Sequence, residues 1–203
     1  QLVLEGLFGA AEKVVTTKEL IDKSTLANLK IKCLILRHPN IREKMTYAEE
    51  LEYIVSNEKR IDFVVNLLRH LNGNTLCLFQ LVEKHGKILN DKMKGSENVY
   101  FVYGGTDTSD REKIRGLVET HTKSTTIASF GVFSTGINIR NINNIVLASP
   151  SKSKIRVLQS IGRGLRTSST KDSILIFDVA DDISYKERRN FTLNHFFERI
   201  NIY

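Results

Sequence analysis

Apolar positions in this chain cluster in short, unbroken runs separated by longer stretches with helical spacing. Ile31–Leu36, Thr75–Phe79, Val99–Tyr103, Thr125–Ser129, Asn144–Leu147 and Ile174–Asp178 are the short runs, rich in β-branched and aromatic residues. With little in–out alternation, they read as parallel strands buried on both faces. The intervening stretches read as helices. Thr16 stands three residues before Glu19, a capping box that predicts a short helix to about Lys23, and Thr46 and Glu49 repeat the signature ahead of Leu51 and Ile54. Ile61, Val64, Val65, Leu68 and Leu71 form an apolar stripe at helical spacing. Val82–Lys94 and Ser109–Thr120 read as two more helices, the second with Ser109 as N-cap and Glu112 at N3. Leu193, Phe196, Phe197 and Ile200 mark a final amphipathic helix. Strand and helix in alternation predict an α/β fold, a mostly parallel sheet covered on both faces. Such sheets bind ligands beyond the carboxyl ends of their strands, so the residues just after each strand carry the information. There is no internal repeat.

Composition narrows the class. The chain has 203 residues, enough for one domain or two small ones, and only two cysteines. Cys33 and Cys77 lie in apolar runs, which excludes a disulfide framework and fits a reducing compartment. No apolar run approaches the roughly 18 residues of a membrane span. With 12 Gly and 2 Pro there is no low-complexity linker. The chain opens in mid-pattern on Gln1-Leu2-Val3-Leu4, without a basic leader, as expected of a piece of a longer protein. The net charge is +7, and its distribution matters more than its size. Lys152–Lys171 holds six of the 30 basic residues and none of the 23 acidic ones, so the rest carries 24 against 23, a net of +1. An anionic partner is implied, and the excess sits in one stretch.

Three strand ends carry candidate chemistry. Gly104-Gly105-Thr106-Asp107-Thr108-Ser109 follows the third run, and reads either as a phosphate cradle or as an ordinary strand–turn–helix. Gly131 and Gly136 have the spacing of half a P-loop. Ile137 and Asn138, however, occupy the Lys and Ser/Thr positions, so the chain lacks a Walker A of its own. Asp178, Asp181 and Asp182 after the last run read as a solvated turn rather than a metal site. The strongest signal is Gln159-Ser160-Ile161-Gly162-Arg163-Gly164-Leu165-Arg166. On a helix Gln159, Arg163 and Arg166 share one face, and Gly162 permits close backbone approach. Two guanidiniums so placed suit the charge on a transferring phosphoryl group, an effect of about 10³–10⁵ in rate. The alternative is a solvated basic face, against which the glycines cost helix stability without a packing return.

Taken together, these residues resemble the second RecA-like motor domain of superfamily 2 helicases over nearly the whole chain, and within that family the phage recombination helicases. Gln159–Arg166 resembles the family's Q-x-x-G-R-x-x-R element, motif VI. Ile127-Ala128-Ser129 through Ser134-Thr135-Gly136-Ile137-Asn138-Ile139 resembles motif V, and Leu76–Gln80 motif IV. The resemblance implies a RecA-like, P-loop NTPase type three-layer sandwich. Residues 1–29 would be the crossover from a first motor domain and 30–203 the second domain. It implies that Arg163 and Arg166 are arginine fingers and that Gln159 positions the γ-phosphate or the attacking water. Gly136, Asn138 and Gly162 would lie at the nucleotide edge, although many relatives carry Asp where this chain has Asn138. Gln80, Lys84, Gly105, Thr106, Ser109 and Ser129 would line a nucleic-acid track, contacting the backbone without reading sequence. The cofactor implied is ATP with Mg²⁺, bound mainly by the first motor domain, whose Walker A and DExx box would lie upstream of Gln1. The isolated chain is then expected to hydrolyse no ATP.

The expected partners are that first domain and DNA, branched, single- or double-stranded, with no membrane, and the expected location is the cytoplasm, of the host if phage-encoded. The alternatives are a restriction-type translocase half and a noncatalytic nucleic-acid-binding module with a motor fold. A Rossmann cofactor enzyme is disfavoured because no G-x-G-x-x-G follows the first strand. His38, His70, His85, His121 and His195 lack metal spacing and read as surface or helix-end residues. Phe130 and Phe133 read as core. Lys186, Arg188 and Arg189 read as the opening of the last helix, either a solvated face or a DNA contact.

Overall fold

The computed structural model describes residues 14–16, 28–134, 141–150 and 173–200. In chain order these form β1 (Val14–Thr16), β2 (Asn28–Arg37), α1 (Tyr47–Ser56), α2 (Glu58–His70), β3 (Asn74–Phe79), a π-helical turn (Val82–Gly86) running into α3 (Lys87–Lys92), β4 (Val99–Val102), α4 (Thr108–Thr120), β5 (Ser124–Ser129), the short α5 (Phe130–Ser134), β6 (Asn144–Leu147), β7 (Ser173–Asp182) and α6 (Phe191–Ile200). All seven strands join one sheet in the order β1-β2-β7-β6-β3-β5-β4. Six are parallel, and β1 pairs antiparallel to β2 through Val14↔Lys32 and Thr16↔Lys30. Thr16, expected to cap a helix, thus belongs to a strand; the helix proposed to Lys23 lies outside the described residues.

The unbroken apolar runs have a direct explanation. Successive side chains of each central strand enter different cores, because both faces of the sheet are covered. Leu76, Leu78, Ile145, Leu147, Ala128 and Ile176 pack on one face with Val118 of α4 and Leu193 and Phe196 of α6. Cys77, Phe79, Ile127, Val146, Phe177 and Val179 pack on the other with Ile61, Val64, Val65 and Leu68 of α2 and Leu89 of α3. This is the expected three-layer α/β sandwich. The chain leaves β3 toward β4 and leaves β6 toward β7, so the path diverges between two neighbouring strands, the position at which open sheets hold ligands.

Several local expectations change. The α1 capping box forms, with Thr46 N–H donating to Glu49 Oε2 at 2.7 Å and Glu49 N–H to Thr46 Oγ1 at 3.4 Å. For α4 the N-cap is Asp107, not Ser109, which sits inside the first turn because the helix already begins at Thr108. The expected Val82–Lys94 helix starts as a π turn, in which Gly86 N–H reaches Leu81 O at 2.9 Å. Gly86 is required there, since a Cβ would stand 2.4 Å from the Phe79 ring. Asp178, Asp181 and Asp182 are not a solvated turn. β7 continues through Asp182, and Asp178 and Asp181 are buried. Lys186, Arg188 and Arg189 precede α6 instead of opening it.

Candidate functional site

The carboxyl ends of β4, β5, β3, β6 and β7 form one rim, in that order. Gly105 and Thr106 follow β4. Ser129 ends β5, in register with Phe79, and Gln80 follows Phe79. Lys84 lies one π turn further on. Five of the expected nucleic-acid residues therefore share this edge, with Ser109 just beyond in α4.

Their availability differs. Gln80, Gly105 and Ser109 are exposed, whereas Ser129 is buried. Thr106 is turned inward: Tyr103 N–H donates to its Oγ1 at 3.0 Å, and its own N–H returns to Tyr103 O at 2.9 Å. Arg111 closes this turn from α4, donating to Gly104 O at 3.0 Å. The Gly104–Thr106 loop is thus tied back on Tyr103 through Thr106 and held by Arg111, with Gly104 and Gly105 exposed. Lys84 is also engaged, its Nζ lying 2.6 Å from Glu52 Oε2 of α1. Both groups are more than half exposed, and a surface pair of this kind exchanges readily for a phosphate.

Behind the rim lies a polar cluster that the sequence reading missed. Ser149, just past β6, accepts the Gln80 N–H at 3.1 Å and meets His85 Nδ1 at 2.8 Å. It ties together the two loops that diverge at the β3–β6 switch point. Arg60 of α2, 1% exposed, donates from Nε to Asp181 Oδ1 at 2.7 Å and from a terminal nitrogen to Ala148 O at 2.7 Å. His38 Nε2 lies 2.9 Å from the same carboxylate oxygen. On the opposite face Asp178 is paired with Arg199 of α6, at 3.1 Å from Nε. The sequence held one signal: Arg60 lies four residues before Val64 and seven before Leu67, on the buried stripe of α2.

Electrostatics follow from this burial. Desolvation pushes the Asp181 carboxyl up, but the Arg60 guanidinium and the His38 bond outweigh it and hold it below its ordinary value. Desolvation, helped by the positive charge of Arg60, pushes His85 down to about 3, so the ring is neutral at physiological pH. Burial pushes the Cys77 thiol up to about 12, which excludes a nucleophilic role. His85, at the end of the π turn, is therefore a buried structural group, and His38 is half-buried against Asp181; the expected helix-end role fits His85, the surface role does not. Among the described residues no group of three or more His, Cys, Asp or Glu side chains is placed to hold a metal ion. Asp178 and Asp181 are already committed to arginines, while Asp182 Oδ1 accepts the Ser184 N–H at 3.1 Å. Gln159, Arg163, Arg166, Gly162, Gly136 and Asn138 lie outside the described residues.

Comparison with known proteins agrees with this architecture. The family model "Helicase conserved C-terminal domain" matches residues 59–168. The ATP-dependent DNA helicase UvsW of Enterobacteria phage T4 is 35% identical over 217 aligned positions, covering 98% of this chain and 43% of that protein. The crystal structure of T4 UvsW superposes with a TM-score of 0.74 at 34% identity, over 86% of this chain and 39% of that one. The C-terminal part of the Fun30 ATPase domain shares the fold alone, with a TM-score of 0.55 at 17% identity over 70% of this chain and 45% of that one. This chain thus spans less than half the length of the relative it matches over almost its whole extent.

Proposed function

The chain belongs to the helicase conserved C-terminal domain family of superfamily 2, and from that membership we propose that it is the second half of an ATP-driven DNA motor. The observation that carries the proposal is Gln159-Ser160-Ile161-Gly162-Arg163-Gly164-Leu165-Arg166, which falls inside the matched span 59–168. In this reading Arg163 and Arg166 reach across the interdomain cleft and balance charge on the transferring phosphoryl group. Gln159 orients the attacking water, and Gly136, Asn138 and Gly162 line the nucleotide edge. ATP supplies the phosphoanhydride chemistry when bound. Asp178 and Asp181 are already paired with arginines, and in this reading Mg²⁺ and the phosphates are held mainly by the first motor domain.

DNA is the proposed polymer because the T4 relative is named a DNA helicase. Gln80, Gly105 and Ser109 are exposed along one rim and Lys84 sits in an exchangeable surface pair, which suits backbone contacts. Ser129 and Thr106 shape that rim from beneath. The parent protein would remodel branched or duplex DNA in recombination and repair, in the cytoplasm of the host cell. Among the described residues no helix is long and apolar enough to cross a membrane.

The test is Arg163→Ala and, separately, Arg166→Ala in the parent protein. Loss of ATPase activity by about 10³-fold or more, with DNA affinity retained, is the expected result. Loss of DNA affinity with no change in ATP turnover would instead identify a nucleic-acid-binding module with a motor fold.

A further inference from the structure

A second charged surface lies at the same edge of the sheet, one strand beyond the switch point. After β7 the chain makes a tight reversal, in which Tyr185 and Arg188 exchange two backbone hydrogen bonds of 3.1 Å and Lys186 takes a φ of +52°. The base of this turn is locked. Asn190, buried, accepts from Ile183 N–H at 3.1 Å and donates to Asp181 O at 3.1 Å. Glu50 of α1 receives Phe191 N–H at 2.8 Å and Thr192 N–H at 2.9 Å, so the start of α6 is already neutralised and is not itself an anion site.

The tip of the turn differs in character. Lys186, Arg188 and Arg189 are exposed, and none has a carboxylate within ion-pair distance among the described residues. Each instead rests on an aromatic ring. Lys186 lies 5.2 Å from the Tyr185 centroid, Arg188 6.0 Å from Phe191 and Arg189 4.8 Å from Phe197. Phe191 is itself 37% exposed. Lys44, before α1, lines one small groove together with Arg188, Arg189 and Glu50.

A cation held against a ring is extended in advance and has little rotamer entropy left to lose when it takes an anion. An exposed ring beside it offers a stacking face, which only an unpaired base can use. We infer that the Tyr185–Phe191 turn is a second docking surface for single-stranded nucleic acid, with Arg188 and Arg189 on phosphates and Phe191 against a base. The inference rests on the motor reading above and adds a contact outside the motif-bearing loops. It places a strand leaving the β3–β5 rim over the end of β7.

The experiment measures binding of the 203-residue chain to a fluorescent oligothymidylate of about 20 nucleotides, from about 50 to 300 mM NaCl. Far-UV circular dichroism and urea midpoints show that each variant is folded. Arg188→Gln/Arg189→Gln should weaken binding about tenfold and lower the log K against log salt slope by about 1.4, two phosphates at ~0.7 each. Arg188→Lys/Arg189→Lys should restore the slope, and Phe191→Ala should weaken binding while leaving the slope unchanged. Wild-type affinity and slope in the Gln pair would overturn this inference and leave the motor reading standing. A wild-type chain that binds no oligonucleotide would remove the nucleic-acid reading itself. Equal binding of a polyglutamate peptide, or preference for duplex over single strand, would also overturn the assignment.

Discussion

Arg60, Asp181 and His85 set the behaviour of the strand-end rim without being part of its surface. Arg60 and Asp181 are each 1% exposed, and a buried pair that loses one partner leaves an uncompensated charge. Asp181→Ala should cost about 3–5 kcal/mol in urea unfolding, and Arg60→Met/Asp181→Leu should recover most of that loss. His85 carries the pH dependence. Its folded value near 3 lies below the ordinary 6.5, so between these values the unfolded chain binds a proton that the folded chain does not. Stability is therefore full above about pH 6.5 and falls as the pH drops toward 3, at up to about 1.4 kcal/mol per pH unit. The depressed Asp181 carboxyl adds a loss only below its ordinary value of 3.8. Urea midpoints at pH 7, 6 and 5 should decline for the wild type and flatten for His85→Asn. Matching slopes would contradict the burial of a neutral ring. These groups were hard to read from sequence for a physical reason. Arg60 sits on an apolar stripe, and its partner lies 121 residues away, a pairing that no local pattern encodes.

Elements written in local chemistry were the legible ones. The α1 capping box was visible because both of its partners lie within one turn, and the central strands β3, β5 and β6 because burial on both faces removes alternation. Helix starts were less so. α4 begins one residue before Ser109, and Asp107 occupies its N-cap without a side-chain cap bond, so the hydroxyl pattern misplaced the boundary. The start of α6 is set by Glu50, 141 residues from Phe191, which again leaves no local signal. The two kinds of cap should differ in energy. Thr46→Ala removes an exposed cap and should cost about 1 kcal/mol. Glu50→Ala strands the buried Thr192 N–H and the part-buried Phe191 N–H and should cost on the order of 3 kcal/mol, with loss of α6 protection in hydrogen exchange. Equal costs would mean that the α6 start finds another acceptor.

Across the whole molecule the sheet order explains why chemistry gathers where it does. The chain path diverges between β3 and β6, and Ser149 bridges the two loops there through Gln80 and His85. The proposed motor reading makes this rim one side of a site shared with another domain, and the chain spans 43% of its T4 relative. Fold and family were legible because the strand pattern and the Gln159–Arg166 element both survive in linear sequence. The Arg111 contact that closes the Gly104 turn and the Lys84–Glu52 pair were not, because each depends on what another element brings to the rim. In the proposed motor this chain supplies arginines to a nucleotide bound elsewhere. Steady-state ATP turnover by the isolated chain, with and without DNA, is the decisive measurement. No turnover above background is expected in either condition; sustained hydrolysis by the chain alone, abolished by Arg163→Ala, would refute that role.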